Sequence, residues 1–243
     1  MTGRGGRRYS LTSTRFVIPS LTALIMLIVL IGLGTWQIYR LHWKQDILAQ
    51  IEAAETAPPI PLRPDSAPYT PAPYTKISVT GRFRFDRAAL FGAEVRDTAA
   101  GSTMGSYQIV PLERDGAPPI LVNRGWIPQK REAPLDDPSG VVTVTGYIRP
   151  GDSAHWFSAA DDSAGRQFFT LDPKVIGQAV GESDVLPYAL VALGPDAART
   201  YPAPAQTLPR PSNNHLSYVI TWYGLALSLI VVFVVWMRKA MRQ

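Results

Sequence analysis

Two long apolar stretches bracket this chain, and between them the pattern of hydrophobic and polar positions changes to alternation. The first stretch covers residues 16–35 and the second 216–237, and neither contains an ionised side chain. Each reaches the roughly 20 residues a helix needs to cross about 30 Å of hydrocarbon. Backbone groups in lipid must be bonded within the segment, so both are read as transmembrane helices, over 16–39 and 215–237. Past the first, Ile47, Leu48 and Ile51 form a short apolar stripe among Lys44, Asp46, Gln50 and Glu52, which predicts a helical extension. Seven prolines then fall within residues 57–73. Proline blocks helix and ladder bonding, so residues 40–73 are read as that extension followed by a stiff, extended linker or wrapping arm, with a spacer favoured over a docking motif.

From Tyr74 the period is two. Strands are predicted over 74–83, 88–95, 105–112, 120–126, 141–148, 166–171 and 186–193, with turn signals such as Arg114-Asp115-Gly116 and Pro138-Ser139-Gly140 between them. Asp172 is placed to cap a short helix with Pro173 at its first position, ending near Ala179 before Gly181. Residues 200–214 form a second proline-rich arm leading back to the membrane. The expected fold is a membrane protein whose two transmembrane α-helices flank a mainly antiparallel β (α+β) domain over 74–199, a sheet or partly open barrel. Strand order is not readable from the pattern, and there are no internal repeats. Both arms lead to the same interface, so the two spans are expected to form an antiparallel pair.

Charge sets the expected orientation. Arg4, Arg7, Arg8 and Arg15 precede the first span, and Arg238, Lys239 and Arg242 follow the second, with no acid in either tail. Positive tails stay on the cytoplasmic side, which places residues 1–15 and 238–243 inside and the β domain outside. The first apolar run is longer than a signal core and is followed by bulky aromatics, so a retained anchor is expected. Removing the seven tail charges and those of Arg40 and Lys44 from the net +5 leaves −4 for the remainder. The basic balance is thus a topology signal and not a nucleic-acid footprint. The absence of cysteine rules out disulfides, thiol redox chemistry, thiolate metal sites and thiol-linked haem.

Little in the chain suggests catalysis. His42, His155 and His215 show no metal-ligand spacing, and there is no phosphate loop or nucleophile elbow. The pairs Asp136-Asp137 and Asp161-Asp162 lie in turn-like stretches and read as solvated loops. His155-Trp156 reads as surface or core filler. His215 stands apart, because on a helix it shares a face with Tyr218 and Trp222, three and seven residues on. The outer end of the first span offers Gly34, Gln37 and Arg40 beside Trp36, Tyr39 and Trp43. Two readings stay open from the residues alone. Either the aromatics mark the headgroup level and His215 caps a helix, or His215 is an imidazole ligand for an iron porphyrin at the membrane edge. In the second reading Arg40 faces a propionate and the aromatics cover the ring.

Three boxes carry a resemblance. Residues 34–40 (GTWQIYR) with Trp43-Lys44, residues 122–128 (VNRGWIP) and residues 214–223 (NHLSYVITWY) resemble, in order and in placement against two spans, the signatures of the surfeit locus protein 1 family. Val219 and Tyr223 replace the alanine and phenylalanine usual there, and neither is a candidate ligand. The resemblance implies a biogenesis factor for haem-copper cytochrome c oxidase and not an enzyme. It implies haem a as the bound cofactor, with His215 as the proposed axial ligand. Oxidase subunit I is the implied partner, with haem a synthase and other assembly factors beside it. The implied location is the bacterial cell inner membrane, with the mitochondrial inner membrane as the alternative. A haem-free scaffold for subunit I and a two-span sensor are the rival functions, and His42 is a weak second ligand. For Asn123, Arg124, Gly125 and Trp126 the readings are structural, with Arg124 paired to an acid and Trp126 packed beneath a turn at Gly125, or functional, with Arg124 and Trp126 facing a partner or a haem edge.

Overall fold

A computed structural model describes residues 14–63, 71–98, 101–130, 134–195 and 200–242. Arg4, Arg7, Arg8 and the middle of the first proline arm lie outside these residues. The chain forms two compact units, one comprising residues up to Ala49 and from Arg210 onward, the other Gln50–Pro209.

The first unit is a helix pair. Helix α1, Thr14–Thr56, runs without a break from the first span into the predicted extension, and helix α3, His215–Ala240, forms the second span. Both are long and apolar enough to cross a bilayer. Phe16 meets Trp236 at one end (ring centroids 6.1 Å apart), and Thr35 Oγ1 lies 3.0 Å from the Tyr223 hydroxyl near the other, so the helices are antiparallel. The least exposed positions of α1 include Phe16, Ser20, Ala23, Leu27, Leu30, Gly34, Gln37 and Leu41, and those of α3 include His215, Val219, Trp222, Ala226, Leu229, Phe233 and Met237. Alternating steps of three and four give a period of about 3.5, the seam of two helices that wind gently around each other. Lipid gives apolar helices no hydrophobic reason to associate, so close approach at small residues matters. Gly34 supplies it, since a Cβ there would stand 3.0 Å from the Tyr223 ring.

The second unit is a strongly curved mixed sheet. Its strands are β1 (Ile60–Pro61), β2 (Lys76–Phe83), β3 (Ala89–Thr98), β4 (Gly101–Arg114), β5 (Ala117–Pro128), β6 (Val141–Pro150), β7 (Gln167–Phe168) and β8 (Tyr188–Ala192), with a 3-10 turn at Phe85–Arg87 and helix α2 at Pro173–Ala179. The order is β1-β2-β6-β8-β5-β4-β3-β7, and β2 also pairs with β4 through Arg82↔Glu113 and Phe83↔Leu112. That extra pairing joins β2, β6, β8, β5 and β4 into a closed ring. A sheet or partly open barrel was the expectation, and the closing contact pairs the ends of β2 and β4, leaving β1 and β7 as the outer strands. Inside lie Ile77, Val79, Leu112, Ile120, Val122, Ile148 and Leu190, while Ala89, Phe91, Leu121, Phe168 and Ala189 face outward onto Leu171 and the buried Ile176 of α2. β5 and β8 pair in parallel and are buried on both faces, so they read as apolar runs.

Three expectations are corrected. The strand expected over 166–171 shrinks to Gln167–Phe168, because Asp161 Oδ1 takes the Phe169 and Thr170 amides into a loop turn. The first proline arm is not only a spacer, since Ile60–Pro61 pairs in parallel with β2 and the Leu62 amide donates to Ser78 (2.9 Å). A proline is tolerated there because β1 is an edge strand. The return arm is also bonded into the domain, through bridges Leu135↔Tyr201, Trp126↔Ala203 and Leu193↔Ala205. Helix α2 matches its expectation to the residue, with Asp172 Oδ1 accepting the Lys174 and Val175 amides.

Candidate functional site

Within the helix pair the sequence brings one polar couple together at low exposure. Gln37 is buried on the seam face of α1, and its Oε1 lies 2.7 Å from Nδ1 of His215, the first residue of α3. Asn214 holds the capping position, and the His215 amide donates to the Asn213 side chain (3.4 Å), so His215 is not itself the cap. An amide oxygen only accepts, so Nδ1 donates in this bond, and in the uncharged imidazole that places the lone pair on Nε2. Nε2 has no hydrogen-bond partner among the described residues. A ring held through one nitrogen with the other free is the arrangement by which proteins orient metal-binding histidines.

The other predicted residues divide. Trp222 lies on the seam face two turns beyond His215, half-buried, and its Nε1 is buried without a hydrogen-bond partner among the described residues. Tyr218 and Trp36 are exposed. Arg40 is exposed too, with its guanidinium 4.2 Å over the Trp43 ring; stacking leaves its edge donors available. His42 is exposed and stands about 140° around α1 from Gln37, away from the seam. Tyr223, noted in the sequence only as standing where the family has phenylalanine, packs its ring and hydroxyl against Gly34 and Thr35.

The box on β5 is held inside the β domain. Arg124 is 9% exposed; it donates to Gln108 Oε1 (3.0 Å), to Asp137 Oδ1 (2.8 Å) and to the Asp136 carbonyl, and lies over the rings of Phe83 and Phe85. Asn123 Oδ1 accepts the Gly125 amide (3.0 Å). Gly125 has φ +132, and a Cβ there would run into the Ala203 carbonyl. The close approach lets Trp126 exchange both backbone hydrogen bonds with Ala203 (2.9 and 2.8 Å). The Trp126 ring is 1% exposed, packs on Tyr201 and donates from Nε1 to the Glu94 carbonyl (3.1 Å). Asp137, read from the sequence as part of a solvated loop, is thus the acid partner of Arg124. A cleft between β3, β4 and β5, lined by Leu90, Met104, Ile127 and Phe169, includes none of the predicted residues.

The SURF1 family model matches residues 24–227, which takes in most of α1, the whole β domain and the first half of α3. The chain belongs to the SURF1 family. It is 30% identical over 228 residues to the SURF1-like protein of Rickettsia felis, covering 90% of this chain and 97% of that protein. Against the SURF1-like protein of Monosiga brevicollis it is 29% identical over 223 residues, 87% and 85% of the two chains. Surfeit locus protein 1 of Homo sapiens is 26% identical over 227 residues, 87% of this chain and 74% of that protein. The stretch matched to the SURF1 model holds all ten predicted site residues, from Trp36 to Trp222.

Proposed function

We propose that this SURF1-family membrane protein is an assembly factor for haem-copper cytochrome c oxidase that holds haem a through His215 and assists its insertion into oxidase subunit I. The observation that carries the haem reading is the Gln37–His215 hydrogen bond, which fixes the imidazole and leaves the Nε2 lone pair for a metal. The residues fit such a cargo chemically. His215 would hold the iron, the Arg40 guanidinium would meet a propionate, and Trp36, Tyr218 and Trp222 would supply apolar cover. Subunit I is the partner in this reading, with haem a synthase as the source, and the chain acts by binding and presenting rather than by catalysis. The two basic tails favour cytoplasmic termini with the β domain outside, and an alanine- and proline-rich chain of this length favours a bacterial inner membrane, which makes that outside the periplasm.

The test is the absorption spectrum of the full chain purified in detergent from haem a-producing cells. His215→Ala is expected to abolish the haem a signal. Gln37→Leu should weaken haem binding by about 10- to 100-fold, the usual cost of losing a hydrogen bond behind a ligating histidine. Gln37→Glu keeps an acceptor and should bind more tightly than Gln37→Leu. An unchanged spectrum and stoichiometry in His215→Ala removes the ligand assignment, and a natural chain purified without any haem signal leaves a haem-free scaffold for subunit I.

A further inference from the structure

The loop after β6 ends in an aromatic tip that neither the β domain nor the proposed haem site uses. Trp156 and Phe157 are 88% and 79% exposed, and their rings stack with centroids 3.7 Å apart. They occupy the two central positions of a tight turn, in which the Ser158 amide donates to the His155 carbonyl (2.8 Å) and Ser158 Oγ accepts the His155 amide (2.9 Å). The turn satisfies its own polar backbone and pushes both rings outward together. Every residue from Gly151 to Ala160 is exposed.

Charge in this loop is turned away from the tip. Asp152 pairs with Arg149 (3.0 Å), Asp161 accepts the Phe169 and Thr170 amides, and Asp162 accepts the Gly165 amide. Residues 153–160, Ser-Ala-His-Trp-Phe-Ser-Ala-Ala, carry no Asp, Glu, Lys or Arg. A tip of small residues around a Trp–Phe pair, without Asp, Glu, Lys or Arg, enters a headgroup layer with no permanent charge to desolvate, and Trp favours that layer because one edge is polar and the rest apolar. A protein partner recognised by charge would find nothing to pair with here. The β domain is tied at both ends to the membrane-spanning unit, so a bilayer is always present at high effective concentration.

We propose that the Trp156–Phe157 tip is a membrane-interface anchor, seated in the headgroup region of the bilayer that the chain itself spans. The natural chain has no cysteine, so a single label is unambiguous. Ala154→Cys in the full chain, carrying an environment-sensitive fluorophore, is reconstituted into phosphatidylcholine vesicles. Its emission should lie at shorter wavelength than that of the free fluorophore in buffer and be quenched by shallowly brominated acyl chains. Adding Trp156→Ser and Phe157→Ser should abolish both effects while leaving the thermal unfolding midpoint and the haem a spectrum of the protein unchanged. Water-like emission with no quenching overturns the anchor, as does a shift that appears only when oxidase subunit I is added. Because the readout is lipid contact, its failure is separable from failure of the haem assignment.

Discussion

Arg124 and His215 sit in two polar environments of the same chain and differ in what is left over. Arg124 is buried, and its donors are met inside the β domain by Gln108, Asp137 and the Asp136 carbonyl. His215 has one nitrogen secured by a buried amide and the other without a partner among the described residues. A saturated polar group needs no ligand to explain it, because burying it unpaired costs more than its bonds return. A half-saturated one, held in place with its lone pair free, can take a ligand from outside the chain. By this measure the 122–128 box is satisfied within the fold, and the 214–223 box keeps a lone pair free for the cargo proposed above.

Arg124→Ala is the strongest way to break that comparison. It strands Gln108 and part of Asp137 and removes a cation from two aromatic faces, so the full chain in detergent should lose about 3 kcal/mol in denaturant unfolding. Haem a per folded molecule should not change. A variant of native stability with a lost haem signal would put Arg124 in the site instead. Gly125→Ala comes next. It forces a side chain into φ +132 and onto the Ala203 carbonyl, for a loss of about 2 kcal/mol. It should also release the return arm, seen as faster proteolysis between Tyr201 and Pro209. A silent Gly125→Ala would mean the arm is not held by the Trp126–Ala203 pair.

What the sequence made legible follows from where each signal is encoded. Helix α2 was exact because Asp172 and Pro173 specify its start locally. The spans were clear from length and composition, yet the seam was silent: inside an all-apolar run both faces are apolar, and only Gly34 and Gln37 mark the packed side. The barrel closure, the parallel β5–β8 pairing and β1 rest on contacts between distant segments, and prolines in 58–61 argued against any strand there. His215 could be picked out as unusual, but its partner lies 178 residues away, and no local spacing points to Gln37. The two readings of Arg124 stayed open for the same reason, since Asp137 comes from a loop that only the fold brings near.

The smallest expected effect sharpens the comparison from the acid side. Beside Trp126, the Glu94 carboxylate accepts from Arg96 Nε (2.9 Å) and from the Tyr107 hydroxyl, and Arg96 also donates to Tyr107 (3.0 Å). Burial pushes the Glu94 carboxyl upward, but the bonds from Tyr107 and Arg96 outweigh it and hold it below its ordinary value of 4.5. A carboxyl whose pKa is lower folded than unfolded contributes stability that is fully present above about 4.5 and is lost as pH falls through the folded value. The side chain is 41% exposed, so the contribution is under about 1 kcal/mol. Glu94→Gln should therefore flatten the fall in unfolding free energy below pH 4.5 while matching the natural chain's slope above pH 6. An unaltered acid slope would show that this network does not titrate with folding. A change in haem a binding at neutral pH on the same substitution would join the Trp126 box to the cargo and dissolve the contrast between the two boxes.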